Sequence, residues 1–173
     1  MRAARSIAGA AAVAASIAVA GGCRSPDPRA EVELSDLETY WAVDPPAGDT
    51  NFLAPVVRFR LVNKASSSRS IQAMSTFRRK GEGPAWSSAW QQASPLADGN
   101  PLPIGGRVLV VLKPEGEGRY TYRGGAPEEM FQNEGWKDVS AEVFVRVGSS
   151  SWTKFTDVDV ARRLGSQTVE AFK

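Results

Sequence analysis

From Val139 to Val147 the chain alternates: Val139, Ala141, Val143, Val145 and Val147 fall on one side, Ser140, Glu142, Phe144 and Arg146 on the other. A period of two places one face of a strand against a core and the other toward water. The pattern recurs. Val57, Phe59 and Leu61 alternate with Arg58 and Arg60, and Ile71, Ala73, Ser75 and Phe77 share one side of the next run. The polar stretch NKASSSR at 63–69 lies between these two runs and predicts that they pair as an antiparallel hairpin. A second hairpin is expected where residues 138–147 meet Ser151–Thr156 across the turn GSSS.

Other segments add strands but few helices. Arg107–Leu112 is short and apolar, bounded by Gly105-Gly106 and Lys113-Pro114, which suits a central strand of a sandwich. A long first strand is expected in Val32–Val43, a weaker one in Trp86–Ala93 and a closing one in Gln167–Phe172. Pro127–Gln132 has proline and acids where a helix begins, and Gly135 limits it to two turns. Val158–Leu164 reads as strand followed by turn. Seven to eight short strands separated by Gly and Pro predict an all-β fold, an antiparallel immunoglobulin-like β-sandwich.

The run FRLVNKASSSRSIQAMSTFRRKGE at 59–82, with the later turn Leu102-Pro103-Ile104-Gly105-Gly106, resembles the small extracytoplasmic immunoglobulin-like domains of bacterial lipoproteins, including the FxLYD-like group. The shared features are an apolar strand ending in an asparagine turn, a second strand ending in an aromatic and charged residues, and a Pro/Gly turn before an apolar strand. The resemblance implies a fold and a location outside the cytoplasm. For function it implies interaction at most.

The first residues point the same way. Arg2 and Arg5 precede an uncharged run, Ser6–Ala20, that is dominated by alanine and shorter than the roughly 20 apolar residues of a membrane-spanning helix. Val19-Ala20-Gly21-Gly22-Cys23 then resembles the lipobox of bacterial lipoproteins, although Ala20 stands where that family prefers leucine. The resemblance implies cleavage before Cys23 and lipidation of its sulfur. Ala18-Val19-Ala20 also has the A-x-A form of ordinary signal cleavage, which would leave Cys23 as a free thiol. The expected organisation is a lipoprotein signal peptide at 1–22, a lipidated Cys23 with a proline-containing tether at 23–30, and a β-sandwich domain at 31–173. Arg24, in place of the aspartate that retains some lipoproteins at the inner membrane, favours the periplasmic side of the outer membrane.

Composition removes several functions. The chain has 21 Lys and Arg against 19 Asp and Glu; Arg2 and Arg5 leave with the signal, so the mature chain is formally neutral. A nucleic-acid partner, which needs a concentrated basic surface, is not expected. Arg78-Arg79-Lys80 reads as a solvated strand end. There is no histidine and only one cysteine, which excludes Ser-His-Asp and Cys-His catalysis, thiolate zinc sites and any intrachain disulfide. Asp157 and Asp159 lack the further oxygens that calcium demands, and Glu128 and Glu129 read as charges at a helix start. No enzyme activity, metal or cofactor is expected.

What remains is binding. Trp86 and Trp90, four apart in PAWSSAWQQAS, are expected on one side of a strand, and Tyr120 and Tyr122 flank Thr121. These four are the candidate binding residues, because exposed rings fill partner pockets or stack on sugars. Core packing is the competing reading for each of the five tryptophans. The expected function is a non-catalytic, lipid-anchored interaction module whose partners are the membrane and another envelope protein. The alternative is a carbohydrate- or cell-wall-binding module using exposed Trp and Tyr.

Overall fold

The computed structural model describes residues 27–83, 85–93, 100–114 and 118–165. Cys23 and the closing strand expected at Gln167–Phe172 lie outside the described residues. One helical turn, α1 (Pro28–Glu31), is capped by the Asp27 carboxylate, which accepts from the Arg29 backbone N–H at 3.0 Å. Eight strands follow: β1 (Val32–Ala47), β2 (Thr50–Asn63), β3 (Ile71–Arg79), β4 (Ser87–Ala93), β5 (Arg107–Leu112), β6 (Tyr120–Tyr122), β7 (Val139–Val147) and β8 (Thr153–Asp159). A 3-10 helix, Pro127–Gln132, lies between β6 and β7, with Pro127 at its start and the two acids in its first turn.

The strands form two antiparallel sheets. One has the order β1-β2-β5, with β6 pairing farther along β2, and the other has the order β4-β3-β7-β8. This is the strand order of an immunoglobulin-like sandwich. The alternating positions face one another across the core: Val57, Phe59 and Leu61 of β2, Ile71, Ala73 and Phe77 of β3, and Val139, Ala141, Val143 and Val145 of β7 are all fully buried. The β7–β8 hairpin forms as expected, and the chain turns after Asp159.

Two expectations are corrected. β2 and β3 do not pair with each other; they lie in different sheets, each presenting its apolar side to the other. Period-two patterning marks which side of a strand is buried but does not distinguish a neighbour beside it from one across the core. The connection becomes a crossover because Asn63, almost wholly buried, organises the chain there. Its side-chain amide donates to the carbonyls of Ser67, Leu102 and Pro103 at 3.0, 2.9 and 3.1 Å, and its oxygen accepts from the Ala65 N–H at 3.0 Å. The second correction concerns β5, which among the described strands pairs with β2 alone and so lies at the edge of its sheet instead of in a central position. Val111 accordingly points outward and is 42 % exposed.

β1 needs one irregularity to join this core. Val32 and Leu34 face inward, but after one extra residue between Ser35 and Glu38 the inward positions become Leu37, Thr39, Trp41 and Val43. The bulge is accommodated by Asp36 at φ 51°, a left-handed conformation that Asp tolerates better than most residues. The outward face of the same sheet carries the ion pairs Glu33–Lys64, Asp36–Arg60 and Glu38–Arg58, all largely solvated and each contributing little.

The strand directions give the sandwich two distinct ends. The near end holds α1, the β2–β3 crossover, the turn before β5 and the β7–β8 turn. The far end holds the β1–β2 and β3–β4 turns, the connection from β6 to β7, and the chain after β8. Replacing Asn63 with Ala leaves three carbonyls and an N–H in the near-end crossover without their partner. It is expected to cost about 3 kcal/mol of stability in urea denaturation, and Asn63→Asp, lacking the amide donors, is not expected to restore it.

Candidate functional site

At the far end the half-buried rings gather on β1. Trp41 is completely buried, and its backbone is held on both sides: its N–H donates to the Arg163 carbonyl at 2.8 Å and its carbonyl accepts from the Gly165 N–H at 2.9 Å. Gly165 fits there because a Cβ would lie only 2.1 Å from the Tyr40 ring. Thr39 adds a tie between the sheets, donating to the Asp159 carbonyl at 2.9 Å and accepting from the Ala161 N–H at 3.0 Å.

On Trp41 stands a stack of rings. Trp136 meets it edge-on at 4.6 Å, Tyr120 lies against Trp136 at 4.4 Å with a 26° tilt, and Phe131 meets Trp136 edge-on at 5.0 Å. Trp86 extends the group, 5.2 Å from Tyr120. The Arg79 guanidinium covers the outer side, 4.1 Å above the Trp86 ring and 4.7 Å above the Tyr120 ring. Such contacts add about 0.5–1 kcal/mol each at partly exposed sites. The Tyr120 hydroxyl fixes the long β6–β7 connection by donating to the Lys137 carbonyl at 2.9 Å and accepting from the Lys137 N–H at 3.1 Å.

Charges surround the stack in pairs. Lys137 and Arg79 share Glu82, Lys80 meets Asp159 at 2.7 Å, and Arg162 meets Asp138 at 2.6 Å. The hydrogen bond from Arg162 holds Asp138 below the usual carboxylate range, and Lys137 does the same for Glu82. On the outward face of the second sheet, Glu142 accepts from Lys154, Thr76 and Arg78, and Lys154 first of all pulls it down. Deeper in, Asp44 is buried between Lys113 and Arg119, the two ends of the excursion that separates β5 from β6.

The four candidate residues are not brought together as one platform. Trp86 precedes β4 and packs on the core edge with Tyr120, both half-buried and with ring faces already in contact. Tyr122 is buried, and burial, followed by the charge of Glu128, pushes its phenol up. Trp90 is paired in register with Met74 on β3; its side chain lies outside the described residues. Trp41, Trp136 and Arg79 belong to the stack although the sequence pattern did not single out their grouping, and the Tyr120–Trp136 spacing carries no local signal of contact.

Beside the stack an open groove of about 470 Å³ runs between β6 and the 3-10 helix, lined by Thr121, Tyr122, Arg123, Glu129, Met130 and Asn133, among others. Among the described residues no three carboxylates or thiols converge as a metal site. Ile104 and Val111 are the exposed large hydrophobics of the described chain, and neither belongs to the stack. Among the described residues the far end therefore presents a mixed polar and aromatic surface without a broad apolar patch. The chain matches no known protein-family model, and no curated protein resembles it at a significant level.

Two outcomes are expected here. Tyr120→Phe, which removes the hydroxyl holding Lys137, should cost about 1 kcal/mol and speed tryptic cleavage at Lys137 in the native protein. The depressed carboxyls of Glu82, Asp138 and Glu142 contribute stability that is fully present above their unfolded values and is lost as pH falls through their folded ones. Thermal unfolding should therefore be nearly constant from pH 6 to 8, where no histidine titrates, and decline on acidification below about pH 4.5.

Proposed function

We propose that the chain is a lipid-anchored protein of the bacterial envelope, held through Cys23, that acts by binding another envelope protein and performs no catalysis. The observation that carries this reading is the small-residue sequence ending in Cys23, a few residues before a folded domain whose chain enters at one end. Two acyl chains, at about 0.8 kcal/mol per buried methylene, hold such a domain stably where one chain would not. The far end, with its ordered loops and aromatic stack, is the surface that an anchored domain presents away from its attachment. Arg24 supports the outer membrane as the location.

Carbohydrate binding is the weaker reading. It needs free, coplanar ring faces, and those of Trp86 and Tyr120 lie against Arg79 and neighbouring rings. The intact mass of the protein extracted from bacterial membranes tests the anchor. The expected mass is that of acylated Cys23–Lys173, and Cys23→Ser should leave the chain unprocessed or lose it from the membrane fraction. An unmodified chain beginning at Gly21 would overturn the proposal.

A further inference from the structure

The near end carries an exposed isoleucine that packing does not explain. Ile104 is 64 % exposed at the tip of the turn before β5. The turn that presents it is rigid. Asn63 donates to the Leu102 and Pro103 carbonyls, the Gly105 N–H donates to the Asn63 carbonyl at 2.9 Å, and the Asn63 N–H donates to the Gly106 carbonyl at 3.0 Å. Gly105 completes it at φ +66°, a conformation that a side chain would strain. A mobile loop can fold an apolar tip back onto the protein, but this one holds Ile104 outward.

Its surroundings point to the occupant. The N-terminal segment joins the same end: Val32 pairs with Asn63, and the Lys64 N–H donates to the Glu31 carbonyl at 2.8 Å. Arg24, Ser25 and Pro26 are all that separate Cys23 from Asp27, so even a fully extended tether reaches no more than about 15 Å. At the same end, exposed Arg107 follows Ile104 by three residues with no carboxylate in ion-pair distance among the described residues, and exposed Lys64 follows Asn63 and meets Glu33 of β1 in a solvated pair at 3.6 Å. An apolar tip flanked by cations matches the interface of an anionic bilayer.

We infer that the Ile104 turn, with Arg107 and Lys64, is the face on which the domain rests against the phospholipid surface, which turns the aromatic end away from the membrane. The inference depends on the acylation of Cys23 proposed above. One side chain would not recruit a free protein, but a short tether keeps the turn at high local concentration over the lipid, so a weak contact suffices to set orientation.

Acylation consumes the Cys23 sulfur, so a cysteine introduced elsewhere in the mature lipoprotein is its one free thiol. A fluorophore at Ser66→Cys, exposed at the near end, is compared with one at Glu134→Cys, exposed at the far end. The acylated protein is placed in vesicles of phosphatidylethanolamine and phosphatidylglycerol containing a headgroup-depth quenching lipid. Quenching at position 66 should exceed that at 134 several-fold, fall by half or more with Ile104→Glu, and be retained with Ile104→Leu. Because Ile104 is exposed, both variants should unfold at the unchanged urea midpoint. Equal quenching at both positions, or quenching at 66 indifferent to Ile104→Glu, on protein whose mass shows acylation, overturns the inference and leaves the anchor standing. A mass showing an unacylated chain removes the anchor and the inference together.

Discussion

The extra residue in β1 decides which side chains reach the core of this sandwich. Without it, the side of β1 that begins with Val32 and Leu34 would continue with Asp36, Glu38 and Tyr40, and two carboxylates would turn toward the core. With it, Leu37, Thr39, Trp41 and Val43 turn inward. Trp41 then becomes the floor on which Trp136, Tyr120 and Phe131 pack, and Thr39 becomes the hydroxyl that ties the exit of β8 to β1. The far-end loops depend on that inward row. In a short left-handed residue the chain exchanges a local conformational cost for an aromatic floor.

The two ends are stabilised differently. The near end is a hydrogen-bonded crossover centred on one buried amide, Asn63, with Arg69 and Glu31 forming a two-bond ion pair at 2.8 Å beside it. That pair holds the Glu31 carboxyl below its ordinary range. The far end relies on ring contacts covered by Arg79 and on solvated ion pairs, which individually contribute little. Under the proposed anchoring, the hydrogen-bonded near-end turn would be the part held against the membrane and the far end would meet a partner as a preformed surface, so that little ordering entropy is lost on binding.

Much of the architecture was legible because period-two alternation is a direct imprint of one-sided burial. The alternation in β7, β3 and β2 marked the right residues as core, and Pro127 with Glu128 and Glu129 marked the short helix. The pairing of β2 with β3 was not legible, since the signal that diverts the chain into a crossover is a single asparagine whose partners at Leu102 and Pro103 lie some 40 residues away. The edge position of β5 escaped for a related reason: an all-apolar run signals burial of both faces, yet Val111 is simply tolerated at the surface. Of the candidate site, the sequence offered the aromatic residues but not their arrangement. Trp41, Tyr120 and Trp136 meet only because the parity of β1 changes, and nothing local in SDLETYW announces a left-handed aspartate.

Equilibrium unfolding of Asp36→Gly and Asp36→Val tests this dependence most directly. Both lose the same exposed ion pair with Arg60, so their difference isolates the backbone. Glycine, free at φ 51°, should leave stability unchanged or slightly raised, whereas β-branched valine should lower it by about 2 kcal/mol and expose the Trp41 environment to solvent in the fluorescence spectrum. Equal stability of the two variants, with an unaltered spectrum, would contradict the parity change and the aromatic floor built upon it.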